Sequence, residues 1–186
     1  MSDPKVVDGK AEGRGLVLIG YRGTGKSTVG RLLARLTGRP FFEVDEEIVA
    51  RAGKTIKAMF EEDGEPAFRD VEEGVVRDLT ADHHDAVLGT GGGTILREAN
   101  RRRLRSFGLV AWLTADVAEL ARRLEADAIT RETRPSLTNK GAVEEIAEVL
   151  AYRTPFYEEI AHVAIDAQHA KPEEVARRIL EHWRCS

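Results

Sequence analysis

Lys26 and Ser27 close the run Gly20-Tyr21-Arg22-Gly23-Thr24-Gly25-Lys26-Ser27-Thr28, and no other residues in the chain specify chemistry so directly. The spacing G-x-x-x-x-G-K-[ST] lets the backbone N–H groups of Gly23 to Thr28 wrap a polyphosphate. Lys26 then reaches the β/γ oxygens of a nucleoside triphosphate, and the Ser27 hydroxyl can ligate Mg²⁺. The run follows an apolar stretch, Leu16-Val17-Leu18-Ile19, and precedes a helical pattern, Val29, Leu32, Leu33 and Leu36. A helix opening near Lys26 aims its unpaired N–H groups and positive dipole end at the same oxygens. The competing reading, a glycine-rich turn with a chance lysine, does not account for this agreement of motif and context.

Further polar residues follow the other apolar runs. Phe41-Phe42-Glu43-Val44-Asp45 reads as a strand end on which Glu43 and Asp45 share a side. One carboxylate could support hydrated Mg²⁺ while the other orients or deprotonates an attacking hydroxyl. Asp45 could instead cap a helix starting at Glu46. Gly91-Gly92-Gly93 bares backbone N–H groups where side chains would block a ligand, either as a pocket floor or as a plain tight turn. Arg69, Arg131, Arg134 and Arg153 could bind carboxylate or phosphate in the planar two-pronged geometry of guanidinium. For Arg69 the alternative is a surface ion pair with Glu72 or Glu73, and for Arg153 a place on a helix surface. Arg131 and Arg134 lie in an aperiodic stretch with Pro135 and Gly141, which reads as a mobile lid over about residues 126–140 that closes on a transferring phosphoryl group.

The elements that would position these residues alternate regularly. Strands are expected at Leu16 to Ile19, Phe41 to Val44, Ala86 to Leu88, Leu109 to Leu113 and His162 to Ile165. Helices are expected near 27–37, 65–80, 95–106, 116–125, 142–160 and 172–183. Such alternation implies right-handed βαβ crossovers, hence a three-layer α/β fold around a five-stranded parallel sheet, with ligands at the carboxyl ends of the strands. The 186 residues form one domain over 15–186, after a polar leader at 1–14 that is read as flexible.

Composition narrows the function classes. A net charge of −4 argues against nucleic acid as a partner, and the basic run Arg101, Arg102, Arg103 and Arg105 reads as a solvated helix face. No apolar run approaches the roughly 18–20 residues that span a bilayer, and the leader has no signal-peptide core, so a cytoplasmic chain without membrane contact is the default. The lone Cys185 excludes an intrachain disulfide, and His83 and His84 have no further ligands beside them.

With these motifs in order, the chain resembles the shikimate kinases, a branch of the nucleoside-monophosphate-kinase-like phosphate-loop proteins. The resemblance covers about residues 15–183. It rests on Gly20 to Thr28, Glu43-x-Asp45, Phe68-Arg69-x-x-Glu72, Gly91-Gly92-Gly93, Arg134-Pro135-x-Leu137 and Arg153-x-Pro155-x-Tyr157. It implies transfer of the ATP γ-phosphoryl group to the 3-hydroxyl of shikimate, with Mg²⁺; a monomer is the expected state. By position, Asp45 would contact the reacting hydroxyl, and Arg69 and Arg153 would clamp the carboxylate. Gly91, Gly92 and Gly93 would meet the ring hydroxyls. Lys26 and Arg134 would supply positive charge at the phosphates, and Arg123 would lie near adenine. Three positions depart from the family pattern: Glu43 replaces the usual Asp, the segment between Arg123 and Arg134 is longer, and Ala170 stands where many members carry an arginine. Other readings are a kinase for a different small hydroxylated acceptor, such as gluconate or a nucleoside monophosphate, and a noncatalytic ligand sensor of the same fold.

Overall fold

Strand β2 (Gly15–Ile19) is buried along its whole length, and its alternation divides it between two cores. In the computed structural model, which describes residues 5–6, 14–126 and 142–184, Val17 and Ile19 face one side of the sheet and Leu16 and Leu18 the other. A strand apolar on both faces needs cover on both. Each of these side chains, fully buried, is worth roughly 1.5–3 kcal/mol.

After β2 come α1 (Lys26–Thr37), β3 (Phe41–Glu43), α2 (Val44–Ala52), α3 (Ile56–Glu62) and α4 (Gly64–Asp82). The chain continues through β4 (Val87–Gly89), a 3₁₀ turn (Thr94–Leu96), α5 (Glu98–Phe107), β5 (Gly108–Thr114), α6 (Val117–Ala126), α7 (Ala142–Ile160), β6 (Val163–Asp166) and α8 (Pro172–Arg184). Helices α1 and α8 cover Leu16 and Leu18 through Val29, Leu33, Val175 and Ile179. The opposite face is covered from α2 to α5 and from α7, by Ile48, Met59, Phe68, Val76, Leu104 and Tyr157. The result is the three-layer α/β arrangement expected from the alternation.

Five strands run parallel in the order β6-β5-β2-β4-β3. Lys5–Val6 (β1), inside the stretch read as a leader, adds a two-residue antiparallel strand on the outer edge of β6. The chain leaves β2 for β3, passes β4, fills the gap, and then crosses to the other side of β2. The change of direction at β2 opens a crevice at the carboxyl ends of the strands, where α/β sheets bind ligands. Gly20 and Gly91 follow strand ends on this edge, and Glu43 is the last residue of β3.

One element differs from expectation in a way that matters. The second strand stops at Glu43 and a helix begins at once with Val44, so Asp45 is neither a strand residue nor a cap. It sits in the first turn of α2 beside Glu46 and Glu47, where negative charge is favoured by the helix dipole. The alternation that put Glu43 and Asp45 on one side of a strand therefore does not apply. Both still reach the same edge, Glu43 against Gly89 and Asp45 against Gly91.

Candidate active site

The phosphate loop joins β2 to α1 with Gly20, Gly23 and Gly25 at φ of 139°, 81° and 91°. Residues with a Cβ rarely enter that region, and there the backbone can turn its N–H groups inward. The loop is braced from within: Thr24 Oγ1 donates to Tyr21 O at 2.8 Å, and Lys26 Nζ donates to Gly20 O at 2.9 Å and Tyr21 O at 2.8 Å. Lys26 is buried, so its ammonium lies over the loop and not out in solvent. Ser27 is half-buried and Thr28 exposed at the opening of α1.

Beside the loop lies a pocket lined by Arg22, Asp45, Ile56, Phe60, Arg69, Gly91, Gly92, Gly93 and Arg153, among others. The three glycines matter here for space. A methyl group on Gly91 would stand 2.6 Å from Asp45 Oδ1, one on Gly92 3.4 Å from an Arg153 guanidinium nitrogen, and one on Gly93 2.7 Å from Arg69. Each glycine thus lets one charged side chain come against the main chain.

Arg69 pairs with Glu65 and Glu72, not with Glu73. Its Nη1 donates to Glu72 at 2.8 Å, and its Nε and Nη2 reach Glu65 at 3.1 and 3.0 Å. Glu72 is fully buried and also accepts from Thr94 Oγ1 at 2.9 Å, so the arginine is fixed to the turn that follows the glycines. A guanidinium has five donors, and these contacts use three of them. The surface-pair reading thus fails for Glu73, and the pair with Glu72 is buried; the exposed partner is Glu65, which the sequence reading did not name. Glu73 pairs instead with Arg97 at 2.9 Å. Arg153 lies on α7 against Gly92, with its Nε buried and without a hydrogen-bond partner among the described residues. One turn on, Tyr157 Oη donates to Gly92 O at 2.6 Å, and burial pushes its hydroxyl up to about 12. Arg101, read as a solvated residue, packs over Phe156 of the same helix, 4.7 Å from the ring centre.

Glu43 carries a buried Oε2 with no hydrogen-bond partner among the described residues, at the strand end facing the nucleotide side. A buried carboxylate oxygen calls for a partner. Mg²⁺ keeps several waters and takes few protein ligands besides phosphate, so Ser27 and a water-bridged Glu43 suit it, and a cage of carboxylates is not required. No cluster of three His, Cys, Asp or Glu that could hold a metal ion occurs among the described residues.

On the far side of the loop, Arg123 donates to Gly23 O at 3.2 Å, to Ala167 O at 2.9 Å and to Gln168 O at 2.8 Å. It ties the loop to the segment before α8, which also holds Ala170. Arg131, Arg134 and the lid at about 126–140 lie outside the described residues apart from Ala126, as does Cys185. Sequence reasoning missed Arg22, Tyr21, Ile56 and Phe60 as pocket residues. Ile56 and Phe60 had a signal in their four-residue spacing, whereas Tyr21 and Arg22 occupy unconstrained positions of the loop motif.

The shikimate kinase family model matches residues 22–184. A shikimate kinase of Rhodopirellula baltica is 39% identical over 166 residues, covering 89% of this chain and 88% of that protein. A shikimate kinase 2 of Sodalis glossinidius is 43% identical over 166 residues, covering 89% and 93%. Among solved structures, the shikimate kinase of Acinetobacter baumannii in complex with shikimate superposes with a TM-score of 0.84 at 36% identity, covering 91% of this chain and 92% of that one. With loop, pocket and relatives in agreement, the chain belongs to the shikimate kinase family.

Proposed function

We propose that this ATP-dependent kinase transfers the γ-phosphoryl group of ATP to the 3-hydroxyl of shikimate, yielding shikimate 3-phosphate and ADP. The observation that carries the reading is the meeting of Asp45, Arg69 and Arg153 over Gly91 to Gly93, directly beside the phosphate loop. Two arginines against a glycine floor suit a compact, hydroxylated carboxylate.

In this reading, Arg69 and Arg153 hold the acceptor carboxylate and turn one hydroxyl toward Asp45. Asp45 orients that hydroxyl and receives its proton as the oxygen bonds to γ-phosphorus and the bond to the β-bridging oxygen breaks. The transition state is loose, so catalysis is mainly positioning and charge. Lys26 stabilises the charge spreading over the transferred oxygens. Ser27, with Glu43 through water, would hold Mg²⁺, which when bound neutralises charge between the β- and γ-phosphates. The role of Arg134 at the same phosphates rests on its motif. No helix among the described residues is long and apolar enough to cross a membrane; a cytoplasmic address and a monomeric state are part of this proposal.

Coupled ADP release from Mg·ATP with shikimate, gluconate, a nucleoside monophosphate panel and no acceptor tests the reading. Release with shikimate alone is expected. Equal release with gluconate would move the assignment to another acceptor.

A further inference from the structure

Helix α7 meets the site at three places. Near its start, Glu145 accepts a hydrogen bond from Arg22 Nη2 of the phosphate loop at 3.1 Å, with side-chain exposures of 3% for Glu145 and 20% for Arg22. Eight residues on, about 12 Å along a helix, Arg153 lies against Gly92 in the acceptor pocket. A further turn on, Tyr157 grips the Gly92 carbonyl. Gly92 itself closes the circle, since a methyl there would stand 3.4 Å from Gly20 O and 3.5 Å from Arg22 N. Loop, helix and pocket floor thus form one ring of contacts.

The ring is not saturated. Tyr21 Oη, Arg22 Nε and Arg153 Nε are all buried without a hydrogen-bond partner among the described residues. Buried donors left unpaired favour any small rearrangement that pairs them. Such a partly satisfied network can change arrangement when a ligand adds an acceptor.

We propose that Arg22 and Glu145 are a positioning pair that makes acceptor affinity depend on nucleotide occupancy. Phosphates seated on the loop fix Arg22, Arg22 fixes Glu145, and α7 carries that constraint to Arg153. By linkage, the acceptor must tighten nucleotide binding by the same factor. The inference rests on the acceptor reading above.

The test is calorimetric titration of shikimate with and without saturating ADP and magnesium, on the parent chain and on Arg22→Met, Glu145→Gln and the double variant. The parent should bind shikimate more tightly when the nucleotide is present, by a factor within the usual range of about 5 to 150. Each single variant should lower that factor by about three- to tenfold, and the double variant should lower it no further. Arg22→Lys should restore part of it. A purely structural pair would lower the melting temperature and leave the factor intact, and that result overturns the proposal. A factor of one in the parent overturns it equally. A parent that binds gluconate and not shikimate overturns the acceptor reading instead, and repeating the titrations with gluconate then decides the pair on its own.

Discussion

The phosphate loop and the pocket proposed for the acceptor both depend on glycine, for opposite reasons. In the loop, Gly23 and Gly25 adopt φ of 81° and 91°, and Gly25 has nothing within 4 Å of where a Cβ would stand. In the pocket, Gly91 to Gly93 have ordinary backbone angles, and a Cβ would collide with Asp45 at Gly91 and with Arg69 at Gly93. One region needs glycine for its angle, the other for its emptiness. The loop is also contiguous in sequence, whereas the pocket gathers side chains from the phosphate loop, α2, α3, α4, the β4 loop and α7. A continuous motif can fix its own geometry, while a gathered pocket inherits geometry from the packing of the whole sheet.

The largest expected effect falls on the loop. Lys26→Ala should lower kcat by about 10²–10³, the usual loss when one fixed donor to transition-state charge is removed. Steady-state kinetics with native-like circular dichroism checks it, and a kcat near the parent's would remove Lys26 from the chemistry. Asp45→Asn should lower kcat by about 10² while ATP affinity, measured by titration, stays unchanged. Loss of folding instead would give Asp45 a structural place in the first turn of α2.

A smaller and sharper test sets the two kinds of glycine against each other. Gly93→Ala pushes Arg69 aside and should raise the acceptor KM about tenfold, near 1.4 kcal/mol, with the ATP KM unchanged. Gly25→Ala forces an alanine into a left-handed conformation at about 1–2 kcal/mol and should raise the ATP KM instead. If both variants shift the same KM, the distinction between angle and emptiness fails.

The smallest effect concerns Tyr157. Its folded-state hydroxyl is raised to about 12 by burial, so its contribution to stability is complete below the unfolded value near 10 and is lost as pH rises from 10 toward 12. Tyr157→Phe should therefore lose less stability than the parent across that window, by denaturant melts at each pH.

The sheet and the loop were legible because both are local patterns: buried apolar runs, and a motif in its strand-to-helix context. Helix α3 was not, and α2 appeared only as the alternative of a helix starting at Glu46. Val44, Ile48 and Ala52 do recur at helical spacing, but Phe41 to Asp45 alternates well enough to pass for a longer strand. The missed signals were the acidic first turn of Asp45, Glu46 and Glu47, the glycine Gly53 that ends α2, and Thr55, whose hydroxyl accepts from Ala58 N at 3.1 Å. Helical spacing offered Glu72 and Glu73 alike as partners of Arg69, and Glu65, four residues before it, was passed over. Only packing selects Glu72, by burying it beneath Thr94. The pair Arg22 and Glu145 lies 123 residues apart, and no local pattern announces it.

The emptiness of Gly91 to Gly93 has a consequence for inhibition. A compound that draws its hydrogen bonds from side chains can be escaped by replacing those side chains. One anchored on the main chain of these three residues leaves the chain few exits, since added bulk at Gly91 or Gly93 would displace Asp45 or Arg69. On the roles proposed for Asp45 and Arg69, resistance there would have to be built at the expense of the reaction itself.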